Sequence, residues 1–339
     1  MPRYGPGEAR EWALEQLRGC CGCLLPTFSS DLRTLNEVAI RADVARDKEL
    51  GMSGVLIVAE CGTTLDELRH VTEIVVDEAG GEIQTFAHAS LPSLADNVEL
   101  VRFSEAAGVD GVLVSYPLTF YPTSELDVFE YTRAIAEASN LGAIVFAIWL
   151  WNFRRLHPSD FSPDLIGKLV DEVPNVMAVK TEIGTPGAAG IAQIFERYRD
   201  RLIVTDPIEA HAPLWQRAYG MRWMGTSNYE CMAGEVPRYM RLLEAGRYEE
   251  AMEIYWRLHP IRLADAEVIG EAIRGTALVH RLVWKYQGWL HGFNGGPIRG
   301  PHMRISDRQM QVLRAAALAS GLPVTDEPDA AYFVGRNPQ

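Results

Sequence analysis

Short apolar runs alternate with amphipathic stretches along the chain as far as Gly234. Each run is almost continuously apolar, as expected for a strand of a parallel sheet that is covered on both faces. The predicted strands are Cys21–Leu25, Gly54–Ala59, Ile83–Ala87, Gly111–Ser115, Ala143–Ile148, Val176–Lys180, Leu202–Thr205 and Trp223–Thr226. Between them, apolar residues recur three and four positions apart, which predicts helices. Eight strand–helix units in series predict an α/β fold, the (β/α)8 TIM barrel.

The strand pattern stops after Gly234, and the rest of the chain has the periodicity of helices. The predicted helices are Pro237–Ala245, Tyr248–His259, Leu263–Leu290 and Ser306–Ala319. We therefore divide the chain into a helical lead-in (1–20), the barrel (21–234), a C-terminal helical extension (235–322) and a loosely ordered tail (323–339). An open doubly wound sheet is disfavoured, because no Gly-x-Gly-x-x-Gly turn follows the first strand.

Composition and charge limit the kinds of molecule that the protein is expected to bind. Hydrophobic residues make up 47% and charged residues 23% of the 339 residues, a balance that predicts a large core. The formal net charge of −13 argues against a nucleic-acid partner, since phosphate binding depends on Lys and Arg. The chain has no apolar run of membrane-spanning length, and its charged start lacks an apolar signal core. We therefore expect no membrane partner and a cytoplasmic protein.

The five cysteines are an odd number without the paired spacing of a metal site. This pattern predicts reduced thiols and neither a disulfide frame nor a bound metal.

One lysine stands out in a chain that otherwise uses arginine as its cation. The sequence has 28 Arg and four Lys, and Lys180 closes the sixth predicted strand. Barrel enzymes carry their chemistry at the carboxyl ends of the strands. Burial in a barrel mouth lowers the pKa of a lysine, and the neutral amine is the nucleophile that condenses with a ketone. The alternative is a lysine that reaches the rim or pairs with Glu182.

Four motifs occur in an order that resembles one enzyme family. They are Gly62-Thr63-Thr64 after strand two, Phe120-Tyr121-Pro122 after strand four, Pro174-Asn175-Val176 leading to Lys180, and Gly225-Thr226-Ser227-Asn228 at strand eight. This arrangement resembles the dihydrodipicolinate synthase and N-acetylneuraminate lyase family of class I pyruvate-dependent aldolases.

The resemblance implies a role for each motif. Lys180 would form the Schiff base with a keto acid, and Tyr121 matches the catalytic loop tyrosine. Gly62, Thr63 and Thr64 would receive the keto acid's carboxylate, while Gly225 and Thr226 would line its pocket. The resemblance also implies an enzyme without a cofactor that forms homo-oligomers, tetramers or dimers, and acts on a keto acid and an aldehyde.

The chain departs from the family at strand five. Phe146 occupies the position of a tyrosine that shuttles protons at the Schiff base, and a phenyl ring cannot donate a proton. The arginine motif that grips a second carboxylate is also missing, although Arg154 and Arg155 lie nearby in sequence. Tyr121 is the first candidate to replace the missing tyrosine. The other candidates are Tyr116, Thr181, Glu182, His88 and Asn152, or a water molecule.

Aromatic residues near the predicted mouth favour one branch of the family. Trp149 and Trp151 follow strand five, and Trp223 begins strand eight. An aromatic-rich mouth of this kind resembles that of the hydratase-aldolases, which cleave arylidene-pyruvates. In this interpretation the tryptophans, Asn152 and Asn294 would bind the substrate. The tryptophans could instead pack the barrel against its helices. The alternative functions are a Schiff-base dehydratase or deaminase, a dihydrodipicolinate-synthase-like condensation, and a non-catalytic keto-acid-binding barrel.

Overall fold

The computed structural model describes residues 2–182, 188–276, 281–300 and 304–339. The strands are β1 Gly19–Leu24, β2 Gly54–Ile57, β3 Gln84–Ala89, β4 Gly111–Val114, β5 Gly142–Ala147, β6 Val176–Thr181, β7 Ile203–Thr205 and β8 Trp223–Gly225. They form one sheet in the order β7-β6-β5-β4-β3-β2-β1-β8. A helix follows each strand in sequence. The fold is a (β/α)8 barrel with C-terminal helices, as the alternation predicted.

The helices begin and end where local chemistry dictates. They are α1 Ala9–Gln16, α2 Glu37–Leu50, α3 Leu65–Ala79, α4 Leu94–Ala107, α5 Glu125–Ala136, α6 Pro163–Glu172, α7 Ala188–Tyr198, α8 Ala212–Tyr219, α9 Glu235–Glu244, α10 Tyr248–Arg257, α11 His259–Thr276, α12 Arg281–Leu290 and α13 Asp307–Ala319. Side chains such as Asn36, Thr64 and Ser124 accept hydrogen bonds from first-turn N–H groups of α2, α3 and α5. No helix in the described ranges is both long enough and apolar enough to cross a bilayer.

The chain divides into two compact units, of which the first contains β3 to β8. It comprises Met1–Arg18 and Gln84–Gly225. Its lead-in helix α1 is fixed by Arg10, whose guanidinium donates to the carbonyl oxygens of Val170, Val173 and Val176 at 2.5, 2.9 and 2.7 Å. These bonds satisfy carbonyls at the end of α6 and the start of β6, so the lead-in anchors the amino end of the lysine's strand.

The second unit, Gly19–Ile83 with Thr226–Gln339, corrects the prediction of a loosely ordered tail. Tyr332 lies in a 3-10 turn of the tail and is fully buried. Its hydroxyl donates to the carbonyl oxygen of Leu282 at 3.0 Å, and its ring packs edge-on against Tyr286 and Trp289. The tail is ordered because this aromatic side chain covers the apolar face of α12.

The second unit also buries three carboxyl groups. Glu230 accepts the N–H of Cys23 at 2.5 Å through Oε1. Within the described ranges its Oε2 and both side-chain oxygens of Asp47 have no hydrogen-bond partner. Burial raises the pKa of Glu230 to about 8 and that of Asp43 to about 7. Gly22 makes room for this group, because a Cβ there would lie 2.2 Å from Oε1 of Glu230.

We predict that Tyr332→Ala lowers the free energy of unfolding by about 3–5 kcal/mol, since it removes a fully buried aromatic side chain. Urea denaturation measures the change. The neighbouring Phe333→Ala is the control, because Phe333 is 47% exposed and should cost far less. Equal, small losses for both variants would show that the tail is not part of the folded unit.

We predict that Glu230→Gln stabilises the protein at alkaline pH. A carboxyl group whose pKa is higher in the folded state holds its proton on folding, so its contribution is present at low pH and lost as pH rises toward 8. Glutamine stays neutral, and the melting temperature of the variant should exceed that of the wild type by several degrees at pH 9 and by little at pH 5. Exposed Glu249→Gln should show no such pH dependence. A constant difference at all pH values would contradict the buried-proton account.

Candidate active site

Lys180 lies near the carboxyl end of β6, between Phe146 of β5 and Thr205 of β7 in the sheet register. The residue is 4% exposed. Its Nζ lies 3.7 Å from the centroid of the Phe146 ring and 3.7 Å from Oε1 of Glu182. A buried amine therefore sits against an aromatic face, with a carboxylate close enough to exchange a proton with it through a small movement.

A shift in the strand register puts Lys180 on the same face as Phe146. Met177 lies against Gly142, where a Cβ would be 2.2 Å from its sulfur. Phe146 is four residues beyond Gly142 and shares its face, whereas strict alternation would turn Lys180 to the face opposite Met177. The register between β5 and β6 shifts at Ala143/Ile144, which gives β6 one extra residue there. This bulge brings Lys180 back to the face of Phe146.

The two tyrosines that were candidates for proton transfer differ in their exposure to solvent. Tyr121, the first choice, is 75% exposed, and the guanidinium carbon of Arg155 stacks 3.9 Å from its ring centroid. Tyr116 is buried and its hydroxyl donates to Oγ1 of Thr132 at 2.5 Å, since Thr132 itself donates to a carbonyl of α5. Burial also raises the pKa of Tyr116 above its ordinary value. The catalytic role of Tyr121 stays a prediction.

His88 and Asn152 contribute to the local structure of β3, β4 and the loop after β5, and the substrate-binding role of Asn152 stays a prediction. Nε2 of buried His88 lies 2.8 Å from Oγ of buried Ser115, which joins β3 to the end of β4. Asn152 is exposed and adopts a left-handed conformation, with φ of 56°, between two 3-10 turns. Asparagine tolerates that conformation better than most residues, so it shapes the loop after β5.

The three tryptophans that were predicted to lie near the barrel mouth differ in their burial and contacts. The indole N–H of Trp151 donates to the carbonyl of Phe146 at 2.9 Å, and the two rings meet edge-on at 5.6 Å. Trp149 is 43% exposed. Trp223 is fully buried against Phe86 and packs in the core, and its assignment to the substrate site stays a prediction. Its ring fills the space beside Gly225, where a Cβ would lie 2.2 Å from it.

In the second unit, the Gly62-Thr63-Thr64 segment forms the amino end of α3. Thr64 caps the helix in a reciprocal capping box with Glu67, and Glu67 pairs with Arg299 at 2.6 Å. Thr63 donates to the carbonyl of Ala59 at 3.2 Å. Gly62 has a φ of +74°, which a glycine adopts without strain. The segment is therefore well ordered, and its binding of a carboxylate stays a prediction, as does the pocket-lining role of Gly225 and Thr226.

Asn294 holds the tail of the chain in place. Its Oδ1 accepts hydrogen bonds from the backbone N–H and the Nδ2 of Asn337 at 2.8 and 2.9 Å. Its own Nδ2 donates to Gly295 at 3.0 Å. The buried amide makes its hydrogen bonds within the second unit, and its assignment as a substrate ligand stays a prediction.

Two candidate functional residues that were not predicted, Asp206 and His211, follow β7. Asp206 is fully buried, and its Oδ2 accepts hydrogen bonds from Nδ1 of His211 at 2.8 Å and Nε1 of Trp215 at 2.7 Å. The hydrogen bond to Asp206 raises the pKa of His211, with further contributions from the charges of Glu209 and Glu182 and an opposing one from burial. An aspartate directly after a strand, with a histidine five residues later, was a detectable signal.

Comparison with known proteins agrees with the fold and identifies the family. Residues 17–287 match the Dihydrodipicolinate synthetase family. A 4-hydroxy-tetrahydrodipicolinate synthase from Methanopyrus kandleri is 28% identical over 262 residues, which is 74% of this chain and 81% of that protein.

Two solved structures share the fold. Dihydrodipicolinate synthase from Aquifex aeolicus matches with a TM-score of 0.74 at 21% identity, covering 91% of this chain and 100% of that one. N-acetylneuraminate lyase from Fusobacterium nucleatum matches with a TM-score of 0.69 at 16% identity, covering 89% and 98%. The chain belongs to the dihydrodipicolinate synthetase family of class I aldolase-type enzymes, and it is a carbon–carbon lyase.

Proposed function

We propose that Lys180 is the Schiff-base lysine of a pyruvate-dependent aldolase. The observation that carries the proposal is the buried amine near the carboxyl end of β6, 3.7 Å from a carboxylate. Burial limits hydration of the amine, and the nearby carboxylate can take its proton, so that the lone pair becomes available to a ketone.

The reaction follows from that arrangement. The amine adds to C2 of a keto acid, and the carbinolamine loses water to give an iminium ion. The iminium draws electrons from the C3–H or C3–C4 bond, so that an enamine forms and a C–C bond is made or broken at C3. In our proposal, Gly62, Thr63 and Thr64 bind the keto acid's carboxylate, as the family resemblance implies.

The substrate we favour is an aromatic unsaturated keto acid, handled by a hydratase-aldolase reaction. Phe146 and Trp151 are the supporting residues, since their rings meet edge-on and the face of Phe146 touches Nζ of Lys180. An aromatic aldehyde gains several tenths to about 1.5 kcal/mol from such rings. The second candidate is the condensation named in the curated relatives, which a more aliphatic aldehyde partner would favour.

We expect reduction with borohydride in the presence of pyruvate to add one reduced pyruvate unit to Lys180, located by peptide mass spectrometry. Lys180→Ala should give no adduct, while Lys168→Ala, at a partly exposed site on α6, should react like the wild type. An adduct on another lysine, or none with pyruvate and several larger keto acids, would overturn the proposal.

We expect the enzyme to cleave an arylidene-pyruvate, followed by loss of its ultraviolet absorbance. Trp151→Ala should raise KM for this substrate about tenfold, the loss of roughly 1.4 kcal/mol of ring contact. An alkylidene-pyruvate of similar length is the control, because the variant should affect it little. Pyruvate adduct formation without turnover of any arylidene substrate would favour the condensation instead.

A further inference from the structure

Phe146 occupies the strand-five position at which the family resemblance places a proton-transferring tyrosine, so another group must act there. Dehydrating a carbinolamine and forming an enamine both require an acid and a base beside the lysine. Next to Lys180 in the first unit, the carboxylate of Glu182 is 3.7 Å from Nζ. Glu182 follows β6 directly, and the Asp206–His211 pair follows β7, the neighbouring strand.

Solvent exposure increases from the lysine to the Glu182 carboxylate and from there to the histidine. The side chains of Lys180, Glu182 and His211 are 5%, 17% and 44% exposed. Asp206, which holds His211, is fully buried. A buried amine, a mostly buried carboxylate and a partly exposed histidine form the series of groups expected along a path by which protons enter and leave a closed site.

We propose that Glu182 is the acid–base group of the Schiff-base reaction, and that His211, held by Asp206, exchanges its protons with solvent. This proposal rests on the Schiff-base function of Lys180. Glu182 acts on the reacting atoms, whereas Asp206 is a positioning residue.

The carboxyl group of Glu182 can serve as the acid and the base in each step of the reaction. Glu182 accepts a proton from the lysine ammonium, and the freed lone pair forms the bond to C2. The nitrogen then loses a second proton, which passes to the former carbonyl oxygen and gives the neutral carbinolamine. Glu182 then protonates the carbinolamine hydroxyl, which leaves as water with its bonding pair, and the nitrogen lone pair forms the C=N bond. The regenerated carboxylate removes a C3 proton to give the enamine. When the enamine attacks an aldehyde, that proton passes from Glu182 to the aldehyde oxygen.

The geometry of His211 suits proton exchange. A carboxylate can only accept, so Nδ1 of His211 carries its hydrogen toward Asp206, and Nε2 is the atom that gains and loses a proton. Trp215 donates to the same oxygen of Asp206, and Ile208 N–H donates to the other, which fixes the carboxylate. Three acidic groups, Asp206, Glu209 and Glu182, raise the pKa of His211 against the effect of burial, so the imidazolium form extends closer to neutral pH.

The test is the exchange of pyruvate's methyl hydrogens for deuterium in D2O, followed by proton NMR, which needs no aldehyde. Glu182→Gln should slow exchange by about a hundredfold or more, the usual scale of general acid–base catalysis. Glu182→Asp should restore part of the rate, because it keeps a carboxylate. Both variants are checked for folding by their melting temperature.

His211→Gln should slow exchange by about tenfold and remove one limb of its pH profile, since the proton on Glu182 would return to C3 before reaching solvent. Asp206→Asn should move that limb to lower pH, because it removes the main cause of the raised pKa of His211. His70→Gln is the matched control, an exposed histidine on α3 paired with Glu73. It should exchange at the wild-type rate.

Three outcomes distinguish the claims. Wild-type exchange by Glu182→Gln in a protein that still forms the borohydride adduct overturns the role of Glu182 and leaves the Schiff base intact. An unchanged pH profile in His211→Gln overturns the solvent path. A wild-type protein that forms no adduct with any keto acid overturns the Schiff-base function and this proposal with it.

Discussion

The contact of the Lys180 amine with the Phe146 ring and the Glu182 carboxylate is the interaction on which the site depends. An ammonium group removed from water is costly unless an opposite charge or a polarisable surface replaces its hydration. Here the ring and the carboxylate each approach to 3.7 Å. The same carboxylate that offsets the charge can remove it, so one pair of groups serves both stability and the proposed reaction.

The fold supplies this contact through small departures from regular geometry. The register shift between β5 and β6 turns the lysine to the face of Phe146. Gly111 and Gly142 leave space for the Met177 side chain, since a Cβ at either position would lie within 2.5 Å of it. Trp151 donates to the carbonyl of Phe146 and braces its ring. The reactive group is thus positioned by its supporting strands rather than by a flexible loop.

The sequence predicted the parts of the molecule that follow from periodicity. All eight strands were found within a few residues of their observed bounds, because strands buried on both faces are continuous apolar runs. The position of Lys180 near the end of β6 was predicted because the end of an apolar run is visible in the sequence. The full burial of Trp223 was not predicted, since alternation alone does not tell which strand residue fills the core. The contacts of Asn294 and the order of the tail were not predicted because the partners are distant in sequence, in Asn337 and in Tyr286 and Trp289.

The bulge in β6 and the Asp206–His211 pair were not predicted, for a related reason. One extra residue in a strand does not change an apolar run, and Glu182 and the Asp206–His211 pair follow two different strands, so their grouping is not visible in the sequence. A crystal soaked with pyruvate at neutral pH would test the central claim most directly. The account predicts continuous density from Nζ of Lys180 to C2 of pyruvate, with the Glu182 carboxylate at hydrogen-bond distance from the adduct. Pyruvate bound without a covalent link, or Nζ turned away from both the ligand and Glu182, would contradict it.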